Sequence, residues 1–437
     1  MLQNNLVNIT NKDFIYNLIA ERIGLYLPSN IRAIYNSCEH IRIIAADSYF
    51  IHYSLYPFLR SKNEDEILEE VRKFKEQYLA DERYQRIKTL TTLDDEMSLI
   101  YSIALAKTII GRIMGKLNIN YYDFSKDVKS LRLMVIKALS ELTKTGELGV
   151  VLEYAMESAE EITKNAEEIR ELIGGKKAGK EAGTFKKVLD LAEHMMFVKF
   201  MRDIITMSKK LAEYIPKASR ILKKRGRIGD EISGYALTKK VERALPREIA
   251  LPDELFLKKL AGEGFLMKEK LSVTEGAYYI LIDKSGSMHG EKTIWARSVA
   301  IALYRLAKVK KRKYFLRFFD KRVYPKDGPI EQPEEIVDAI LKVKSNGGTD
   351  ITNALLTAIK DIKERGLSKY LNTIVIITDG EDVVQDLSKE LKKANASLVS
   401  VMIQGDNETL KNLSNQYMKA ELTEVGGAKL LRIVEVT

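Results

Sequence analysis

The feature that most constrains the fold of this chain is an alternation of two patterns in its last third. Four uniformly apolar runs rich in β-branched residues begin at Ala277, Lys313, Asn372 and Ser397. Between and after them, apolar residues recur at helical spacing from Ile294, Pro333, Thr352 and Glu408. Apolar strands separated by amphipathic helices are typical of a parallel sheet that is covered on both faces. We therefore predict a doubly wound, Rossmann-like α/β domain over residues 271–437, with "RVYP" at Arg322 as a short edge strand.

The earlier part of the chain follows a helical pattern. No proline occurs between Pro57 and Pro216, and apolar residues recur every three or four positions in long stretches. This pattern predicts an all-helical domain over residues 1–233. Residues 234–270 are predicted to connect the two domains, with short helical pieces around Pro246 and Pro252. The predicted fold class is thus an all-helical N-terminal region followed by a doubly wound α/β domain.

Composition limits the classes of partner and site. The 437 residues carry a formal net charge of +10, which favours nucleic acid, an anionic membrane or an acidic protein surface as a partner. A lysine-rich, solvated surface would give the same charge. The single cysteine, Cys38, excludes an intramolecular disulfide and a metal site built from cysteines.

The first residues, "MLQNNLVNITNKDF", lack the basic start and the apolar run of a secretory signal peptide. The most membrane-like stretch, residues 97–110, is too short to span a bilayer and contains Lys107. We predict that it is a buried helix, that the chain has no transmembrane segment, and that the protein is cytoplasmic.

Polar residues cluster where the predicted strands end. "DKSGS", residues 283–287, follows the first strand; "NGGTD", residues 346–350, precedes a helix; "TDGED", residues 378–382, follows the strand from Asn372. Ligands of open α/β sheets bind at the carboxyl ends of the strands. The pattern therefore predicts one site, built from Asp283, Ser285, Ser287, Thr349 and Asp379.

The predicted site offers only oxygen ligands, because it contains neither histidine nor cysteine. Few carboxylates and several hydroxyls suit a hard cation, above all Mg²⁺, with Mn²⁺ as the alternative. Two other interpretations stay open. Asp283 or Thr349 alone could cap a helix, and a bound metal could serve only to lock the loops.

The order Asp-x-Ser-x-Ser, then threonine, then aspartate resembles the metal-ion-dependent adhesion site (MIDAS) of von Willebrand factor A domains. The matching residues here are Asp283, Ser285 and Ser287, then Thr349, then Asp379. The resemblance implies that the hydroxyls bind the metal directly and that the aspartates act partly through water. It also implies an open coordination position for an Asp or Glu carboxylate of a protein partner.

A second resemblance covers residues 234–437. The segment "LPREIALPD", from Leu245, is similar to the stretch that precedes the A domain in ViaA and CoxE-like proteins, with Pro252 and Asp253 where leucines are common. Members of that family work beside MoxR-type AAA+ ATPases as adaptors that bring the motor to a client. The resemblance thus implies a cytoplasmic adaptor with a MoxR-type AAA+ ATPase as partner.

Two rival functions belong to other classes. A Ro-like RNA-binding protein also joins a helical region to an A domain, and the charge and the basic run at residues 221–227 favour RNA slightly. However, the first half lacks the repeat of about 40 residues that a helical-repeat ring needs. An enzyme is disfavoured, because no second acid, histidine base or activated nucleophile joins the cluster. We expect no enzymatic activity.

Overall fold

The computed structural model describes residues 7, 14–59, 63–116, 128–173, 182–215, 225–226, 231–238, 240–241, 244–271, 275–380 and 382–437. The chain divides into two compact units, Met1–Arg202 and Asp203–Thr437. The domain limits predicted at residues 233 and 270 stay predictions.

The first unit is helical in its described residues, as the sequence predicts. Its helices are α1 Phe14–Tyr26, α2 Ser29–Ser37, α3 Glu39–Tyr53, α4 Glu66–Leu79, α5 Glu82–Thr91, α6 Asp95–Lys116, α7 Val128–Thr145, α8 Leu148–Ile173 and α9 Ala182–Phe197. Helix α10, Lys199–Glu213, begins in this unit and continues into the second. Helix α6 packs against both α3 and α8 and forms the centre of this unit. Asp94 accepts a hydrogen bond from the Met97 amide (3.2 Å) at the start of α6 and pairs with Arg170 (2.7 Å), which fixes this helix end.

Helix α6 contains the apolar stretch predicted to be buried. By length and composition it could cross a membrane, but 78% of its most apolar window is buried inside the protein. Burial against neighbouring helices explains an apolar helix of this length without a bilayer. The cytoplasmic location stays a prediction.

A small antiparallel sheet precedes the second domain and was not predicted. Its strands are β1 Arg225–Gly226, β2 Glu231–Thr238 and β3 Phe265–Leu271, in the order β1-β3-β2. The prediction of an all-helical chain up to residue 233, followed by helical pieces only, is therefore wrong at these strands. Neither segment is a long apolar run, so each depends on its partner strand for its conformation. The predicted helical pieces are confirmed as α11, Pro246–Ile249, and α12, Asp253–Ala261.

The last part of the chain forms a six-stranded sheet. Its strands are β4 Glu275–Asp283, β5 Tyr314–Phe319, β6 Val323–Tyr324, β7 Leu371–Thr378, β8 Ala396–Met402 and β9 Gln416–Lys419. Their order is β6-β5-β4-β7-β8-β9, and every pairing is parallel except that of β6 with β5. The four predicted strands and the short edge strand at Arg322 are confirmed. Strand β9 was not predicted.

Helices cover both faces of this sheet. They are α13 Glu291–Lys310, α14 Pro333–Lys342, α15 Ile351–Glu364, α16 Ser388–Lys393, α17 Glu408–Leu413 and α18 Glu424–Val436. Residues of α15, α16 and α17 share one buried cluster with Tyr279 and Leu281 of β4. On the other face, Tyr314 of β5 donates a hydrogen bond to the Ala300 carbonyl of α13 (2.9 Å), and α13 packs against α14 and α18. The predicted doubly wound α/β fold is confirmed.

Candidate metal centre

The site begins where β4 ends, in the middle of the parallel sheet. Asp283 lies opposite Phe319 of β5, and the following amide, that of Lys284, donates to the Phe319 carbonyl (2.8 Å). On the other side of β4, strand β7 ends at Thr378. Three adjacent strands thus end at one edge. The ends of β4 and β7 and the loops after them carry Asp283, Ser285, Ser287 and Asp379, whereas Thr349 comes from the loop between α14 and α15.

Asp283 is buried and its orientation is fixed by two hydrogen bonds. The Ser285 amide donates to its Oδ1 (2.7 Å), and the Thr378 hydroxyl donates to its Oδ2 (2.5 Å). Burial raises the pKa of the Asp283 carboxyl, hydrogen bonds from Thr378 and Ser285 oppose that rise, and the nearby charge of Asp379 adds to it. A cation beside Asp283 would offset the cost of keeping this carboxylate ionised and buried.

A chain of hydroxyls joins the first loop to the third. Ser285 Oγ and Ser287 Oγ lie 3.0 Å apart, and Ser287 Oγ donates to Asp379 Oδ1 (2.8 Å). Ser285 is buried, whereas Ser287 is exposed. The "DKSGS" loop and the residue after β7 therefore converge at one point, and the exposed Ser287 opens that point to solvent.

Thr349 reaches the same place from the second loop. A Cβ atom built on Gly380, the residue after Asp379, would lie only 2.8 Å from Thr349 Cγ2. The Gly286 amide donates to the Gly347 carbonyl (3.0 Å), which ties the first loop to the second. The structure thus brings together all five residues that the sequence predicts. Asp350, the next residue, instead accepts from the Asn353 amide (2.8 Å) and caps α15.

Lys292 is a further residue of the site that the sequence interpretation missed. Its Nζ lies 2.6 Å from Asp379 Oδ2, and the Asp379 side chain is only 2% exposed. Lys292 belongs to the first turn of α13, where the helix dipole disfavours a positive charge. A lysine at that position in a sequence is a signal that an acidic partner lies nearby.

Lys284 and Asp320 were also missed. Lys284, inside the "DKSGS" motif, donates to Asp320 Oδ2 (2.5 Å) at the end of β5. The Asp320 carbonyl in turn accepts from the Asp350 amide (3.0 Å). The ion pair joins the "DKSGS" loop to the loop after β5, and the backbone bond joins the loop after β5 to the loop of Thr349. Spacing along the chain gives no indication of either contact.

The donor set fits a small hard cation. Two serine hydroxyls lie beside the carboxylates of Asp283 and Asp379, with Thr349 on the adjoining loop, and oxygen donors of this kind are the ligands that Mg²⁺ prefers. The described residues contain no group of three or more histidine, cysteine, aspartate or glutamate side chains that could hold a metal, so a metal at this site would depend on hydroxyl ligands as well as on its two aspartates. Asp379 already binds an ammonium group, so the site attracts a positive charge even without a metal.

Residues 278–381, which include all five residues, match the von Willebrand factor type A domain family. These residues form a von Willebrand factor type A domain. Among solved structures, the A domain is similar to a von Willebrand factor type A protein from Catenulispora acidiphila, with 18% identity, a TM-score of 0.29, and coverage of 39% of this chain and 43% of that chain. It is also similar to proximal thread matrix protein 1 of the mussel byssus with a zinc-occupied MIDAS motif, with 12% identity, a TM-score of 0.29, and coverage of 37% and 46%.

Curated relatives extend beyond the A domain. An uncharacterized protein of Methanocaldococcus jannaschii is 28% identical over 369 residues, which cover 77% of this chain and 78% of the relative. A protein of Acidianus two-tailed virus that is named for a VWFA domain is 25% identical over 226 residues, 47% of this chain and 24% of its own length. The archaeal similarity is too long to be confined to the A domain, so it includes part of the helical unit.

Proposed function

We propose that this protein is a metal-dependent protein-interaction module. Asp283, Ser285, Ser287, Thr349 and Asp379 would hold one Mg²⁺, with Mn²⁺ as the alternative, and a partner would contribute an Asp or Glu carboxylate to the metal. The observation that carries this proposal is the continuous contact from Ser285 Oγ through Ser287 Oγ to Asp379 Oδ1, beside the buried Asp283.

The charges of the site explain why an acidic partner fits. The two carboxylates would balance the two charges of Mg²⁺. Lys292, which pairs with Asp379, brings one further positive charge, so the occupied site would be positive overall. A metal with few anionic ligands stays electron-poor, so an incoming carboxylate is a favourable ligand. The exposed Ser287 marks the side from which the partner's carboxylate would approach.

We propose binding rather than catalysis for the same site. Among the described residues, no histidine forms a hydrogen bond with any of the five side chains, and both serines already take part in the hydroxyl chain. A hydrolytic or transfer reaction needs a base within hydrogen-bond reach of its nucleophile.

The partner that we propose is a MoxR-type AAA+ ATPase, with this protein as its adaptor for a client. Support comes from the resemblance of residues 234–437 to the ViaA and CoxE-like proteins. Such an adaptor needs two binding surfaces, and the chain has two compact units to supply them. Of the basic run that favours RNA, only Arg225 and Gly226 lie among the described residues.

A calorimetric titration with Mg²⁺, together with thermal unfolding with and without Mg²⁺, tests the metal site. We expect Mg²⁺ to bind the full-length wild type and to add about 2.7 kcal/mol of stability at one hundred times its dissociation constant. Asp283→Ala should lose both effects yet stay folded, because it also removes a buried carboxylate that repels Asp379. Asp327→Ala, at an exposed position outside the site, is the control and should behave as wild type. Equal Mg²⁺ affinity in Asp283→Ala and wild type would refute the site.

Co-purification tests the partner. We expect a AAA+ ATPase to be retained by the wild-type protein in Mg²⁺ and to be lost with a chelator or in Asp283→Ala. If the ATPase is retained in all three cases, the metal serves only to lock the loops. If RNA is retained instead, and its binding falls steeply as salt rises, the Ro-like alternative is correct.

A further inference from the structure

Of four cationic residues on or next to the loops of the metal centre, two form no ion pair with any residue that the structure describes. Lys284 pairs with Asp320 and Lys292 pairs with Asp379. Lys321 and Arg322, just beyond the end of β5, are exposed, and neither side chain forms an ion pair with any described residue. Each paired lysine neutralises the acid beside it, so these two exposed cations are the charges left to meet a ligand.

Lys321 lies directly beside the metal centre. A Cβ atom built on Gly348 would be 2.8 Å from Lys321 Cε and 3.4 Å from its Cγ, so the lysine side chain extends across Gly348. Gly348 immediately precedes Thr349, and neighbouring Cα atoms are about 3.8 Å apart. The absence of a side chain at Gly348 is what lets the lysine lie there.

The turn that carries both cations is fixed in place. Asp320 Oδ1 accepts from the Arg322 amide (2.7 Å), and the Asp320 amide donates to the Arg322 carbonyl (2.9 Å). The Asp350 amide donates to the Asp320 carbonyl (3.0 Å), which ties this turn to the loop of Thr349. The backbone positions of Lys321 and Arg322 relative to the loop of Thr349 are therefore fixed.

We propose that Lys321 and Arg322 form a second carboxylate-binding position beside the metal, so that the partner presents an acidic segment with two acids. One acid would bind the metal, and the other would bind these two side chains. Arginine and lysine bind a carboxylate through charge-assisted hydrogen bonds, which are stronger than neutral ones. This inference rests on the proposed function, because the first acid is held by the metal.

The test uses full-length protein and two fluorescein-labelled peptides in a fluorescence anisotropy titration. One peptide carries a single aspartate between glycines and serines, and the other carries a second aspartate three residues further on. In Mg²⁺ we expect the two-acid peptide to bind wild type about tenfold more tightly. Lys321→Glu and Arg322→Glu should each remove that advantage, measured as the ratio of the affinities of the two peptides for the same variant.

Lys313→Glu is the matched control, since Lys313 is exposed, has the same charge and precedes the amino end of the same strand β5. It should keep the tenfold preference. If wild type binds both peptides equally in Mg²⁺, or if Lys313→Glu lowers the preference as much as Lys321→Glu, the second position is refuted while the metal site stands. If neither peptide shows Mg²⁺-dependent binding, the proposed function fails and this inference fails with it.

Discussion

Glycine at position 380 makes room for a predicted metal ligand. A Cβ atom there would lie 2.8 Å from Thr349 Cγ2 and 3.2 Å from Thr378 Oγ1, which is closer than ordinary van der Waals contact. We predict that Gly380→Ala displaces Thr349 and lowers Mg²⁺ affinity about tenfold, since mutation of the residues that support metal ligands typically costs about 10–100-fold in affinity. Isothermal titration calorimetry measures this change.

Gly286→Ala provides the comparison. The nearest atom to a Cβ at Gly286, the Gly347 carbonyl oxygen, is 3.8 Å away, which is an ordinary contact. This variant should bind Mg²⁺ as wild type does. Equal losses in the two variants would show that crowding at Thr349 is not the cause.

Lys292 competes with a metal for Asp379. Its ammonium group lies 2.6 Å from Oδ2, where it stabilises the carboxylate but repels a second cation. We predict that Lys292→Met raises Mg²⁺ affinity several-fold and lowers the melting temperature of the metal-free protein. Calorimetric titration and thermal unfolding in EDTA measure the two effects. A fall in Mg²⁺ affinity would mean that Lys292 orients Asp379 for the metal.

At the scale of elements, a buried ion pair fastens α15 to the sheet. Arg317 of β5 binds Asp361 of α15 through two contacts, of 2.8 and 3.0 Å, and Tyr279 donates to the same carboxylate. Removal of one partner leaves the other charge buried. We predict that Asp361→Leu costs about 3–5 kcal/mol of stability, whereas the double variant with Arg317→Met costs far less.

Urea unfolding measures both variants. The fluorescence of the single tryptophan, the buried Trp295 of α13, reports on the A domain alone. Additive losses in the double variant would contradict this explanation, because they would show that the two side chains act independently.

In the helical unit, a buried lysine makes stability depend on pH. Lys75 of α4 is 1% exposed and donates to the Ile44 carbonyl of α3 (3.0 Å). Burial lowers the pKa of Lys75 from 10.5 to about 8, and the charge of Asp47 opposes that change. Between these two pH values the unfolded chain holds more protons than the folded one, so stability rises with pH in this window.

We compare wild type with Lys75→Met by the difference between their free energies of unfolding. We predict that this difference changes in favour of wild type by about 2 kcal/mol from pH 8 to pH 9.5. Urea unfolding followed by far-ultraviolet circular dichroism measures the difference at each pH. Lys73→Met, on the same helix with a side chain that is 58% exposed, should show no such trend. A difference that is constant across the window would contradict a lowered pKa for Lys75.

At the scale of the whole molecule, the A domain contacts a helix that lies far upstream in the sequence. Ser298 of α13 donates to the Ile204 carbonyl of α10 (3.1 Å), and Lys210 of α10 pairs with Glu424 of α18 (2.6 Å). Leu211 is fully buried, and a Cβ atom on Gly427 would lie 2.6 Å from its Cδ2. Residues 203–213 therefore pack on the same face of the sheet as α13 and α18.

We predict that a fragment of residues 199–437 is more stable than one of residues 271–437. The expected difference is at least the 2–3 kcal/mol gained by burying one leucine. Trp295 fluorescence in urea measures it, and Leu211→Ala in the longer fragment should lose about 2–5 kcal/mol. Equal stability of the two fragments would place the start of the independent domain at residue 271.

Much of the doubly wound fold follows from sequence, for a physical reason. Strands β4, β5, β7 and β8 are buried on both faces, so they form continuous apolar runs that the sequence shows directly. Strand β9 and helix α18 escaped prediction. Strand β9 is short, exposes Gln416 and Lys419, and has its position set by pairing with β8. Strands β2 and β3 escaped because each takes its conformation from the other.

The sequence by itself indicated the five candidate ligands. Four of them lie at or just after the ends of buried strands, which meet at one edge of a parallel sheet, and Thr349, in a loop between two helices, was indicated by the order of the motif. Only the tertiary structure decided what surrounds them. Lys292 and Asp379 are 87 residues apart, Lys284 and Asp320 are 36 apart, and Thr378 and Asp283 are 95 apart. Contacts between residues so distant along the chain depend on strand order and loop path, which no local pattern encodes.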